Sequence, residues 1–290
     1  MREKIEKLKN MAKTCILCPR ECKTNREDGE KGFCGLGWNP VVASATLHLG
    51  EEPPISGVNG SGTIFFVGCN MSCIYCQNYP LSQLRNTGRE ITVDELVDTM
   101  LHLQESGAHN INFVTPSHVV HNAAEAIFLS RKRGLRIPIV YNTSSYDKEE
   151  VIDLLDGLVD IYLADFRYFN GSVAKRYSNA FDYPDVAKKA LKKMHKQVGD
   201  LKMKKNIAHK GLLIRILVLP SLTSQVKKIL YWIRKNLSKK TCISLMSQYF
   251  PAYRTGEFPE MNRKITKEEW KEVKETFFDL GFENGYIQER

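Results

Sequence analysis

The sequence predicts an α/β fold built on a parallel sheet. Six short apolar runs alternate with amphipathic segments of helical period over residues 61–250. Each run is continuous rather than alternating, as in strands buried on both faces. The helical segments between them suit right-handed crossovers from one strand to the next. Helices packed outside such strands leave two architectures, an open doubly wound sheet or a barrel. Periodicity alone does not choose between them.

The elements follow in order. Residues 1–60 hold a short basic helix, four cysteines in a Gly-containing loop, an extended stretch at Val41–Leu49 and the turn-rich run Glu51-Glu52-Pro53-Pro54-Ile55-Ser56-Gly57. The strands are predicted at Thr63–Val67, Asn110–Val114, Ile137–Tyr141, Asp160–Ala164, Leu212–Leu219 and Cys242–Met246. A helix starts at Thr92, where Glu95 completes a capping box, and ends near Gly107. Others cover about Ser117–Gly134, Lys148–Leu155, Asp185–Val198 and about Thr223–Leu237. Residues 251–290 form a tail whose helix starts at Thr266 with Glu269 as its capping partner. The expected division is therefore 1–60, 61–250 and 251–290.

Composition narrows the function classes. With 42% hydrophobic and 26% charged residues, the 290-residue chain reads as an ordinary globular protein rather than a disordered, collagen-like or coiled-coil one. No apolar run nears the roughly 20 residues of a membrane span. The start, Met1 to Lys13, is charged and has no apolar core of a signal peptide. A cytoplasmic protein with no membrane partner is expected. The net charge of +9 is concentrated in lysines, nine of them between Lys188 and Lys210. These read as a solvated helix face, or as a docking face for an acidic partner or a nucleic acid. No RNA-binding signature accompanies them, which argues against nucleic acid.

Seven of the eight cysteines fall between Cys15 and Cys76. In a chain with no export signal, clustered thiols point to metal more than to disulfides. Cys69-x3-Cys73-x2-Cys76 directly follows the first predicted strand, and parallel α/β folds place chemistry at the carboxyl ends of strands. A [4Fe–4S] cluster normally takes four thiolates. Three would leave one iron open, able to chelate an amino and a carboxylate group such as those of S-adenosylmethionine. A zinc site completed by a distant residue is the bland alternative.

These three cysteines, with Tyr75 before the last, resemble the signature of the radical S-adenosylmethionine superfamily. Further segments resemble its branch related to pyruvate formate-lyase activating enzymes: Cys15-x2-Cys18-Pro19-Arg20-x-Cys22, Leu47-His48-x-Gly50-Glu51-Glu52-Pro53-Pro54, Gly60-Ser61-Gly62-Thr63, Cys76-Gln77-Asn78-Tyr79, Met194-His195-Lys196-Gln197-Val198-Gly199-Asp200 and Ser247-Gln248-Tyr249-x-Pro251-x-Tyr253-Arg254. The resemblance implies a partial (β/α)6 TIM-like barrel with a cysteine-rich N-terminal extension. It implies reductive cleavage of S-adenosylmethionine to a 5′-deoxyadenosyl radical that abstracts hydrogen. It points to a protein backbone glycine as the hydrogen donor, as in glycyl radical enzyme activation, with a modified peptide or a small metabolite left open; a small electron-donor protein and a protein or peptide substrate are the expected partners. The rival class is a non-catalytic iron–sulfur or zinc protein serving electron transfer or scaffolding.

Cofactor contacts are expected at the strand ends. By the resemblance, Asp165 and Arg167 match an Asp-x-Lys pair that holds the methionyl part of S-adenosylmethionine, with Arg in place of the usual Lys. Tyr75 is a further candidate, and Asn142 and Ser144 are candidates for ribose hydroxyls. After the second strand the family's Gly-Gly-Glu run is absent, and Thr115, Ser117 and His118 stand there instead. Arg215, inside the fifth strand, would need an anionic partner if it faces inward. Glu51 and Glu52 read as a turn or as part of the mouth.

Cys15, Cys18, Cys22 and Cys34 supply four thiolates, the number for a closed structural zinc or for an auxiliary iron–sulfur cluster. Zinc, cluster and no metal all stay open on the sequence. Cys242 reads as a buried small apolar residue.

Overall fold

A computed structural model describes residues 1–288. Helix α1 (Arg2–Lys13) leads into the cysteine-bearing loop, which ends at β1 (Val41–His48) and the short α2 (Pro53–Ser56). Next come β2 (Ser61–Phe66), β3 (Arg89–Glu90), α3 (Val93–Glu105), β4 (Ile111–Val114), α4 (Val120–Lys132), β5 (Ile139–Thr143), α5 (Glu149–Leu154) and β6 (Ile161–Asp165). The chain continues through α6 (Gly171–Ser178), α7 (Tyr183–Val198), β7 (Lys202–Lys204), β8 (Ile207–Leu217), α8 (Thr223–Asn236), β9 (Cys242–Met246), α9 (Lys267–Asp279) and β10 (Gly285–Ile287).

The sheet runs β10-β9-β8-β6-β5-β4-β2-β1-β3. Strands β2, β4, β5, β6, β8 and β9 pair in parallel, each beside the one named before it, while β3 pairs antiparallel with β1 and β7 antiparallel with β8. A doubly wound sheet reverses direction along its order, and this one does not. Right-handed crossovers then put every connecting helix on the same face. The sheet is therefore singly wound, as in a barrel. It stays open, because β1 pairs antiparallel to β2 at one side and β10 lies parallel to β9 at the other.

Strand alternation sorts side chains between two cores. On β6, Tyr162 and Ala164 join the large core under the helices, while Ile161 and Leu163 join a smaller inner cluster. That cluster adds Val140, Leu213, Cys242 and, from α2, Ile55. It forms the floor of the concave side. The next inward positions toward the carboxyl ends, Asp165 on β6 and Arg215 on β8, are polar and line a cavity.

All six predicted strands are present. β5 starts at Ile139 rather than Ile137, because Pro138 has no amide to donate. The capping boxes at Thr92–Glu95 and Thr266–Glu269 both form. The lysine-rich stretch divides: Lys188, Lys189, Lys192, Lys193 and Lys196 lie on α7, but Lys202, Lys204 and Lys210 lie on the β7–β8 hairpin. The single helix face expected there is corrected to a helix plus a hairpin. Among the described residues no helix is long and apolar enough to cross a membrane.

Candidate active site

The strand β2 ends at Phe66 and is followed by Val67 and Gly68. Gly68 has φ of 85°, and a Cβ there would sit 2.6 Å from the Cys34 carbonyl oxygen, so only glycine fits. The loop that follows brings Cys69, Cys73 and Cys76 to one cavity of about 340 Å³ at the carboxyl ends of the strands. Its backbone is pinned from two sides. Ile74 N–H donates to Tyr177 O at 2.9 Å, and Arg20 Nε donates to Asn70 O at 2.9 Å.

All three thiols are free of disulfides and each has a donor or hydroxyl beside it. Met71 N–H lies 3.3 Å from Cys69 Sγ. Ser178 Oγ donates to Cys73 Sγ at 3.0 Å, with Arg167 Nη1 at 3.8 Å. Ser82 Oγ stands 3.1 Å from Cys76 Sγ. Burial pushes the Cys69 thiol up to about 12 and raises Cys76, and repulsion from Cys73 adds to both. A bound metal's charge would deprotonate such thiols. Among the described residues no three His, Cys, Asp or Glu side chains gather tightly enough for a single metal ion. A cubane offers each thiolate its own iron, so its ligands need not meet at one point. Three thiols with N–H and O–H contacts to sulfur are a donor set that fits an iron–sulfur cluster.

Facing the loop is a charge network. One Asp165 oxygen accepts from Arg215 Nε at 2.7 Å and the other from Arg167 Nη2 at 2.5 Å. Arg215 also donates to Asn142 Oδ1 at 2.6 Å and to Glu51 Oε2 at 3.2 Å. Glu51 Oε1 accepts from Asn112 Nδ2 at 3.0 Å. Burial alone would raise the Asp165 carboxyl, but Arg215 and then Arg167 outweigh it and hold Asp165 below the usual carboxylate range. Burial raises Glu52 next to this network. Two buried atoms at the rim have no partner, Ser144 Oγ and Arg167 Nε.

The residues singled out in the sequence are thus largely brought together. Asp165, Arg167, Asn142 and Ser144 share the cavity with the three cysteines. Tyr75 lines an adjoining compartment of about 210 Å³ with Gln248 and Met246. Its hydroxyl accepts from Tyr168 OH at 2.7 Å, and burial pushes that phenol above its ordinary range. Thr115 lines the cavity, but His118 does not. His118 is buried with Nε2 2.7 Å from Val67 O, and burial lowers it to about 4, so it stays neutral and supports the end of β2 instead of reaching a substrate. Glu51 is a network member rather than a plain turn residue, and it is the anion that an inward Arg215 required. Ser178 and Ser82 were not foreseen. Ser178 lies at the end of the unpredicted α6, and Ser82 in a five-residue π-helical turn with no sequence signal. Cys15, Cys18, Cys22 and Cys34 lie apart from the cavity lining, in the loop packed behind Gly68.

A family model described as the Radical SAM superfamily matches residues 63–223, from β2 to the start of α8. The uncharacterized protein MJ0674 of Methanocaldococcus jannaschii is 34% identical over 277 residues, covering 92% of this chain and 75% of its own. The uncharacterized protein MJ0808 of the same organism is 23% identical over 292 residues, covering 91% and 80%. Among solved structures, the FeFe-hydrogenase maturase HydG from Carboxydothermus hydrogenoformans matches with a TM-score of 0.51 at 13% identity, covering 77% of this chain and 52% of its own. The chain spans about half of that protein's length, and the likeness is one of fold. The matched segment begins on the strand that feeds the three-cysteine loop and takes in the parallel strands through β8. On that match this chain belongs to the radical SAM superfamily of enzymes, whose cofactors are a [4Fe–4S] cluster and S-adenosylmethionine.

Proposed function

We propose that Cys69, Cys73 and Cys76 hold the cluster and that the Asp165–Arg167–Arg215 network receives the methionyl end of S-adenosylmethionine. The observation that carries this is the sharing of one cavity by the three thiols and that network. When bound, the cluster supplies the electron that cleaves the sulfonium C–S bond and releases a 5′-deoxyadenosyl radical. The protein's part is positioning. Arg167 bridges the two halves, donating to Asp165 and lying against Cys73 Sγ. Its unpartnered Nε is a donor available to a carboxylate. Ser144 offers a free hydroxyl for a sugar. Asn142 is committed to Arg215, so its role is to orient that guanidinium rather than to bind ribose first.

The hydrogen donor in this reading is a protein or peptide, as the likeness to glycyl-radical activating enzymes suggests. An aromatic lip supports it. Tyr79 stacks on Tyr253 with centroids 5.0 Å apart, next to Gln77 and Asn78, which line both compartments. Such surfaces suit a polypeptide segment. A small electron-donor protein supplies the reducing equivalent.

The test is anaerobic reconstitution with iron and sulfide, followed by S-adenosylmethionine and dithionite. 5′-Deoxyadenosine is expected from the intact chain and not from Cys73→Ala. A fully loaded protein that yields none would end the proposal. Deuterium carried into 5′-deoxyadenosine from Cα-labelled glycine peptides would identify the donor.

A further inference from the structure

A second set of thiols takes no part in the site above. Cys15, Cys18, Cys22 and Cys34 form no disulfide, and all but Cys22 are buried. All four belong to one folded loop, in which Glu21 N–H donates to Cys18 O at 3.1 Å. The backbone holds them so. Cys15 N–H donates to Thr24 O at 2.9 Å and Lys23 N–H to Cys15 O at 3.0 Å, closing a turn in which Glu21 and Lys23 have positive φ of 40° and 57°. Phe33 N–H lies 3.2 Å from Cys22 Sγ, and a Cβ on Gly32 would come within 3.0 Å of the same sulfur.

Three buried polar atoms around this loop lack a partner: Arg20 Nη2, Arg26 Nη2 and Thr24 Oγ1. Arg26 is only 1% exposed. Its charge acts on Cys34. The Arg26 guanidinium is thus carried, buried, to a set of thiols in which its Nη2 finds no partner. A group held by four thiolates is an anion.

The choice of group follows from spacing. Zinc draws four sulfurs to about 2.3 Å from one point. No three described His, Cys, Asp or Glu side chains are gathered that way, neither here nor in the Cys69 loop of this superfamily member. A cubane has separate corners for its thiolates. We infer that Cys15, Cys18, Cys22 and Cys34 bind a second [4Fe–4S] cluster, closed by four protein thiolates and hence unable to take S-adenosylmethionine. Its loop is packed on the radical loop, since Arg20 Nε donates to Asn70 O and Cys34 O abuts Gly68.

The experiment uses the full chain with Cys69→Ala, Cys73→Ala and Cys76→Ala combined, reconstituted anaerobically with ferrous iron and sulfide. About four irons and four sulfides per chain are expected, against about eight of each in the unsubstituted protein. The reduced signal in electron paramagnetic resonance should not respond to S-adenosylmethionine. A variant that folds but takes up no iron, or that takes one zinc per chain in preference, overturns the inference. Cys18→Ser with Cys34→Ser in the otherwise intact chain is the second arm. It should fall from about eight irons to about four while keeping the S-adenosylmethionine-sensitive signal. Unchanged iron there also overturns the inference. Failure of the radical reading looks different: the intact chain would carry iron with no response to S-adenosylmethionine.

Discussion

At Arg215 a guanidinium faces the inside of the sheet, where a lone cation would be costly. It survives there because Asp165, Glu51 and Asn142 each take one of its donors. Burial disfavours its charge, and Asp165 first, then Glu52 and Glu51, restore it. Removing Arg215 leaves Asp165 with Arg167 alone and Glu51 with no cation. Arg215→Leu should therefore destabilise the fold by roughly 3–5 kcal/mol, the usual penalty for orphaning a buried charge. Urea denaturation measures this. A loss below about 1 kcal/mol would mean that water replaces the guanidinium and that the network is not closed. The sequence made this residue legible only as a question. A cation inside an apolar strand demands an anion, but Glu51, the partner farthest along the chain, is 164 residues away.

Elements whose rules are local were legible. Thr-x-x-Glu at 92 and 266 specifies a helix start by itself, and both boxes form. The second does more than start α9. Glu269 accepts from Thr266 N–H at 2.8 Å, from Ser221 N–H at 2.7 Å and from both terminal nitrogens of Arg263. Arg263 foremost, with those amides and against burial, holds its carboxyl at about 2, below the ordinary 4.5. A depressed carboxyl stabilises the fold above its unfolded pKa and loses that contribution as pH falls through the folded one. Glu269→Gln should cost about 1–2 kcal/mol at pH 7. The gap between the two proteins should shrink between pH 4.5 and about 2. A gap that stays constant across that range in denaturant titrations would exclude the carboxylate as its source. Elements that depend on distant packing were not legible. α6 has only eight residues and begins with Gly171, too short to announce itself. The β7–β8 hairpin turns at Lys205 and Asn206, both with positive φ, 50° and 64°. Such a turn usually advertises itself as Asn-Gly, and among lysines it looked like helix.

Across the whole molecule, six strands and their direction could be predicted from apolar runs, but winding could not, because strand order is a property of the assembled sheet. The sequential order from β2 to β9 settles it and leaves a concave face with a floor and a mouth. The cysteine loop was legible because its ligands are neighbours in sequence. The pairing of Glu51 with Arg215 was not, because it rests on α2 being tucked beneath the cavity. Ile55 on α2 is fully buried against Val140, Ile161, Leu163, Leu213 and Cys242. Its carbonyl accepts from Asn110 Nδ2 at 2.8 Å. Glu51 enters the cavity four residues earlier and reaches Arg215. The floor and the charge network thus hang from one short turn. Ile55→Ala should cost about 2–5 kcal/mol through the cavity it leaves. It should also weaken S-adenosylmethionine binding to the reconstituted enzyme about tenfold, the equivalent of one charged hydrogen bond loosened, although Ile55 lines no part of the cavity. Equilibrium binding beside a denaturation curve separates the two effects. Lower stability with unchanged affinity would show that Glu51 is held by Arg215 and Asn112 without help from below, and that the floor serves folding alone.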